Sequence, residues 1–196
     1  MVRLAAPVAA RRSSDDPMLE TDDLLTAIEM AIADLTALAV IAGDEGAAIL
    51  EFQVAMLEDE VLREFAITSI AAGTAADAAW RQAVDVQIAG YEEGEEYFQA
   101  RIADLVDLRD RVLGHLAGTG TKAVPPGAVL AAEDLTPSRF LATDWSAGGA
   151  IALAAGSTTS HVAMLARSRG VPMVVGLGPA VLDGGREAIV DGSAGT

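Results

Sequence analysis

The strongest constraint on this chain is a change of hydrophobic period across the linker G-T-G-T-K-A-V-P-P-G at 118–127. Before it, apolar residues recur every three or four positions, the spacing of a helix face. After it they come as short apolar runs separated by helical patches, the texture of buried strands alternating with helices. In the first part, Leu24, Ile28, Ile32, Leu35 and Leu38 follow helical spacing from about Glu20. Thr21 or Asp22 is the expected N-cap and Gly43 the stop. A second helix is expected over 45–57 and a third over 59–72, ending at Gly73. Thr74 opens the longest run, in which Gly90 and Gly94 mark a kink or a break. Residues 20–117 therefore read as a bundle of about four helices.

After the linker, strands are expected at 128–131, 150–153, 173–175 and 188–190, with helical patches at 137–142 and 161–169. The opening segment V-R-L-A-A-P-V-A-A-R also reads as a strand or strand remnant, followed by a loop, yet it has no sheet of its own. The simplest topology joins it to the C-terminal part. That makes residues 1–19 and 118–196 one discontinuous α/β domain, with 20–117 inserted as an all-α bundle subdomain.

Composition narrows the function. Hydrophobic residues make up 52% and aromatics 4%, so packing is expected through small aliphatic side chains. A formal net charge of −16 opposes nucleic acid, and it suits an acidic enzyme or a docking face for a basic partner. With no cysteine, thiolate zinc sites and disulfides are excluded; with only His115 and His161, a multi-histidine metal site is not expected. No continuous apolar run approaches the roughly 18 residues of a membrane span. Asp15 and Asp16 interrupt any signal-like pattern near the start. The expectation is a soluble, cytoplasmic protein.

The segment that carries chemistry is A-A-G-S-T-T-S-H-V-A-M-L-A-R-S-R-G-V-P-M-V-V-G. A strand ends near Leu153, a polar turn follows, and Ser160 stands where an N-cap should be. His161 then falls in the first turn of a helix. A helix start offers free backbone N–H groups and a partial positive charge, both favourable to an anion. The hydroxyls of Ser157, Thr158, Thr159 and Ser160 surround the same point. Gly170 ends the helix and Pro172 prevents its continuation.

The pattern G-x-x-T-S-H-x-A-x-x-A-R-x-x-G-V-P-x-V-V-G resembles the phosphohistidine signature of the phosphoenolpyruvate-utilising enzymes. Within that group, the chain resembles the N-terminal half of the enzyme I family of the phosphoenolpyruvate:sugar phosphotransferase system. V-L-A-A-E-D-L-T-P-S is similar to the strand and turn before the active site. A-I-L-E-F-Q-V-A-M-L-E-D-E-V-L resembles the helical segment that docks the histidine-containing phosphocarrier protein, and A-D-L-V-D-L-R-D-R-V-L-G-H-L the last helix of that subdomain. The resemblance implies a swivelling α/β phosphohistidine domain with an inserted helical carrier-binding subdomain. It implies phosphorylation of His161 on a ring nitrogen, with Gly156, Thr159, Ser160 and Arg167 in the phosphate environment. For Arg167 the plain alternative is a cation at a helix C-terminus. It further implies carrier contact through Glu45, Met56, Leu57, Glu60, Leu62 and Arg109, with Glu58 and Asp59 completing a carboxylate rim. The plain alternative there is that Leu57 and Leu62 are bundle core and the acids a solvated face. No cofactor or metal is expected in this chain. Magnesium belongs with the phosphoenolpyruvate-binding domain, a C-terminal partner of the full-length family members.

The family pattern is departed from at four places. Its paired glycines before the histidine read Gly156-Ser157. Phe140 stands where the family often has a threonine able to hydrogen-bond the active histidine, and Gln53 where it often has histidine. Both ends look clipped relative to the family. Two related readings share the signature: an enzyme I-like module of the dihydroxyacetone kinase phosphotransfer subunit, and the central domain of a dikinase or phosphoenolpyruvate synthase, which the long helical insertion disfavours. A non-catalytic acidic interaction module is the alternative of another class.

Overall fold

Asp16 and Pro17 start the first helix, earlier than the hydrophobic pattern suggests. The computed structural model describes residues 2–3, 13–92, 96–119, 124–183 and 188–195. Helix α1 runs Pro17–Ala42, and the Asp16 carboxylate accepts from the N–H of Met18 at 2.9 Å. Proline suits the first helical position because no N–H is needed there. Thr21, an expected cap, lies inside the helix and donates its hydroxyl to the Pro17 carbonyl. Residues 17–19 therefore belong to the helix and not to the α/β part.

The chain divides into two compact units, one of Pro7–Thr121 and one joining Met1–Ala6 to Lys122–Thr196. In the first, α1 is followed by α2 (Asp44–Glu58), α3 (Glu60–Ala71), α4 (Ala76–Glu92) and α5 (Glu96–Leu116). Among the described residues, five helices stand where about four were expected, because the longest run is two helices. α4 packs against α5, bringing Trp80 and Val84 into one core with Leu105, Leu108 and Val112. Gly94 lies outside the described residues, as do residues 4–12 and part of the linker. Gly43, at φ 76°, ends α1 as expected and leads into α2. Asp59 caps α3 by accepting from Val61 at 2.9 Å.

By length and composition α1 is also apolar enough to cross a membrane, contrary to the sequence expectation. Glu29 and Asp34 break the run, which hides it from a search for continuous apolar residues. The core helix of a soluble protein passes the same test. Here α1 buries a stripe of Leu24, Ala27, Ile28, Ala31 and Leu35 against the other helices. Off that stripe, Asp34 Oδ2 lies 3.0 Å from His115 Nε2 and 3.4 Å from Arg111 Nη1, tying α1 to α5.

In the second unit, β1 (Val2–Arg3), β2 (Val129–Ala132), β3 (Ala150–Leu153) and β4 (Met173–Val174) form one sheet in that order. Every pairing is parallel, with Val2 opposite Leu130, Leu130 opposite Ile151 and Ile151 opposite Met173. The opening strand thus finds its sheet in the C-terminal part, as the orphan segment required. α6 (Pro137–Leu141) follows β2 and α7 (His161–Ser168) follows β3, the crossovers that parallel strands need. β3 is buried along its whole length, which explains its uninterrupted apolar run. The expected strand at 188–190 is not formed: those residues lie outside any strand, and Ile189 is 94% exposed. A short 3-10 turn, Pro179–Asp183, follows β4 instead.

Candidate functional site

The candidate site is built where the parallel strands end, the edge at which α/β sheets commonly bind ligands. Beyond β3, the chain is tied on both sides. Ala154 and Ala155 donate to the carbonyls of Ala132 and Glu133 at 3.0 and 2.8 Å. Gly176, Leu177 and Gly178 donate to the carbonyls of Ala155, Leu153 and Ala154 at 3.1, 3.0 and 2.9 Å. Gly156 then turns the chain at φ 88°, a conformation that favours glycine.

A short polar loop leads from this turn to the helix. Ser157 Oγ lies 2.8 Å from Thr159 Oγ1 and accepts from the Thr159 N–H at 3.2 Å. Ser160 caps α7, its hydroxyl accepting from Ala163 at 3.2 Å, as its position in the sequence predicts. His161 is the first helical residue. The N–H groups of a first turn have no partner one turn earlier in the helix, so the end of α7 presents donors and a partial positive charge. His161 is half-buried, and among the described residues no side chain hydrogen-bonds its ring. Val162, Ala163, Leu165 and Ala166 anchor the helix in the core.

Arg167 stands near the other end of α7, yet Nη2 donates back to the Thr158 carbonyl at 3.4 Å. The helix-terminal cation therefore touches the polar loop. Phe140 is fully buried, stacks on Trp145 with centroids 5.4 Å apart, and lies under the Arg169 guanidinium. It is a core side chain.

The residues expected to meet a carrier separate into two groups. Leu57 and Leu62 are 1% and 6% exposed, so they offer no surface to a partner. Their apolar side chains face the bundle core because Leu57 shares a helical stripe with Leu50, and Leu62 with Ala66. Glu45 and Glu60 are exposed in the first turns of α2 and α3, and Met56 is half-exposed. Val61 and Phe65, one turn apart on α3, are exposed apolar residues that the sequence reading missed, at 58% and 43%. Their i, i+4 spacing, one residue out of phase with Leu62 and Ala66, was the available signal.

Arg109 is already engaged, with Asp85 at 2.8 Å and Asp110 at 3.1 Å. Burial opposes its charge, but the two carboxylates outweigh this and raise its pKa. Gln53 is buried and donates to Asp104 at 3.0 Å and Asp107 at 3.3 Å, linking α2 to α5. Among the described residues, no group of three or more histidine, cysteine, aspartate or glutamate side chains could hold a metal ion.

Fold and site together define an α/β unit with a histidine at a helix start, interrupted in sequence by a helical subdomain. Comparison with known proteins agrees. Residues 2–101 match the family described as PEP-utilising enzyme, N-terminal, and residues 124–195 the PEP-utilising enzyme, mobile domain. A phosphoenolpyruvate-protein phosphotransferase of Streptomyces coelicolor is 35% identical over 193 residues, covering 96% of this chain and 35% of that protein. The phosphoryl donor subunit DhaM of PEP-dependent dihydroxyacetone kinase from Pantoea ananatis is 33% identical, covering 92% of this chain and 39% of that subunit. A solution structure of Enzyme I (nEIt) superimposes with a TM-score of 0.72 at 26% identity, covering 98% of this chain and 82% of that one. The chain belongs to the PEP-utilising enzymes. It spans about a third of the length of the first of these relatives.

Proposed function

We propose that this chain relays a phosphoryl group through His161, exchanging it with a histidine of a phosphocarrier protein in a phosphoenolpyruvate-dependent phosphotransferase system. The observation that carries this reading is His161 at the first position of α7, half-buried and directly following the hydroxyl-bearing loop Ser157–Ser160. An unprotonated ring nitrogen of His161 attacks phosphorus as the carrier's N–P bond breaks. The proton on the other ring nitrogen is lost, and the departing carrier imidazole takes one up. Free N–H groups at the helix start offset charge on the phosphoryl oxygens, and alignment of two imidazoles supplies the remaining rate enhancement.

The carrier docks on the helical unit, at Met56, Val61 and Phe65 with Glu60 beside Val61 in the chain and Glu45 exposed at the start of α2. Their carboxylates suit a basic carrier surface. Phosphoenolpyruvate and magnesium are handled by a C-terminal domain of the full-length relatives, and the setting is cytoplasmic. The match to DhaM favours a second reading, in which the same relay serves a dihydroxyacetone kinase.

The test is incubation with a carrier protein carrying a ³²P-labelled phosphohistidine. Wild type and His115→Ala acquire acid-labile label, whereas His161→Ala does not. Equal labelling of His161→Ala overturns the assignment, and carrier binding without label supports a non-catalytic interaction module.

A further inference from the structure

Two turns meet at the end of the sheet, one leading from β2 to α6 and the other from β3 to α7. Asp134 belongs to the first. Its Oδ1 accepts from the N–H of the next residue, Leu135, at 2.8 Å. The same oxygen lies on the face of Gly156 where a side chain would otherwise stand: a Cβ there would sit 3.3 Å from it. Leu153 and Val175 would meet that Cβ at 3.5 and 3.7 Å, so the carboxylate and two apolar side chains flank the turn at Gly156.

We propose that Asp134 is a positioning residue for phosphoryl exchange, its carboxylate bracing the Gly156 turn and thereby fixing the loop that delivers Ser157–Ser160 and His161. This deepens the relay reading above and rests on it. Asp134 as a whole residue is exposed, yet its carboxylate is partly desolvated where it meets the turn. That desolvation raises its pKa against the lowering effect of the Leu135 hydrogen bond, and the neighbouring Glu133 charge raises it further.

The test compares Asp134→Ala and Asp134→Asn with wild type in the whole chain, with thermal unfolding recorded for each. Phosphoryl transfer is followed from a ³²P-labelled phosphocarrier and from phosphoramidate, a small donor that needs no docking surface. Asp134→Ala lowers the maximal transfer rate about tenfold with both donors while the carrier KM stays constant, because misplacement of a reacting group acts on the chemical step. Asp134→Asn restores the rate, since its amide oxygen can accept from Leu135 and fill the same space. A wild-type rate in Asp134→Ala, a change confined to carrier KM, or equal loss in the folded Asn variant overturns the proposal.

Amide hydrogen exchange over residues 155–160 reads the brace without any transfer. Exchange rises about tenfold in Asp134→Ala and is unchanged in Asp134→Asn. Unchanged exchange in Asp134→Ala also overturns the proposal. Failure of both donors to label wild type removes the relay reading instead, and the exchange comparison still decides the role of Asp134.

Discussion

The guanidinium of Arg167 turns back along α7 and donates from Nη2 to the carbonyl oxygen of Thr158, 3.4 Å away. A residue that follows His161 on the helix thereby joins the loop before it. Exposed contacts of this kind add little to stability, but a fixed cation beside a phosphoryl group strengthens its hydrogen bonds. Arg167→Ala is expected to slow ³²P transfer to His161 about tenfold while leaving the unfolding midpoint nearly unchanged. Arg167→Lys should recover part of the rate. An unaltered rate in Arg167→Ala would remove the arginine from the phosphate environment.

Glu20 is 2% exposed and uses both carboxylate oxygens. One accepts from the Ser14 N–H at 2.6 Å and the other from the Ala76 N–H at 2.7 Å, where α4 begins. Replacing it with alanine strands these donors, which should cost about 3 kcal/mol. Urea unfolding of Glu20→Ala measures this, and a loss below about 1 kcal/mol would show that water replaces the carboxylate.

Gln53 supplies donors to two buried carboxylates, Asp104 and Asp107. Gln53→Glu adds a third carboxylate in place of that amide, and should destabilise the helical unit by about 3 kcal/mol at neutral pH. The introduced acid has a raised folded pKa, so its penalty is present above that pKa and fades as pH falls towards the ordinary carboxylate value. Denaturation at neutral and mildly acidic pH distinguishes this from a loss of packing, which would persist at both.

Asp134 gives a pH dependence of the same sign. Its folded pKa lies above the ordinary value, chiefly through partial desolvation, so ionisation opposes folding at neutral pH. That opposition disappears as pH falls through the folded pKa towards the unfolded one. Asp134→Asn should therefore be slightly the more stable protein at neutral pH, solvent screening keeping the gap small, with the difference closing in acid. A gap that widens on acidification would contradict the direction of the shift.

Several features were legible in the residues themselves. Ser160 caps α7 because its hydroxyl precedes an apolar helical pattern, and Gly43 ends α1 because it adopts a positive φ. The orphan strand at the start called for a sheet in the C-terminal part, and it pairs with β2 there. Leu57 and Leu62 were harder. They lie in a segment similar to a docking helix, and only their packing assigns them to the core. The 188–190 run carries a strand composition, but strand formation also needs a neighbour, and none of the described strands pairs with it.

By itself, the sequence determined the local framework: the switch from helical to strand periodicity, the capped helix start, and His161 at its first turn. These follow from caps, turns and spacing, which act over a few residues. Tertiary structure alone decided which apolar side chains face outwards, why Arg167 reaches Thr158, and how Asp134 abuts Gly156. Such relationships depend on how the chain folds back on itself, and spacing along it does not specify them. His161 was marked out by its neighbours in the chain; the turn and loop around it were set by the fold.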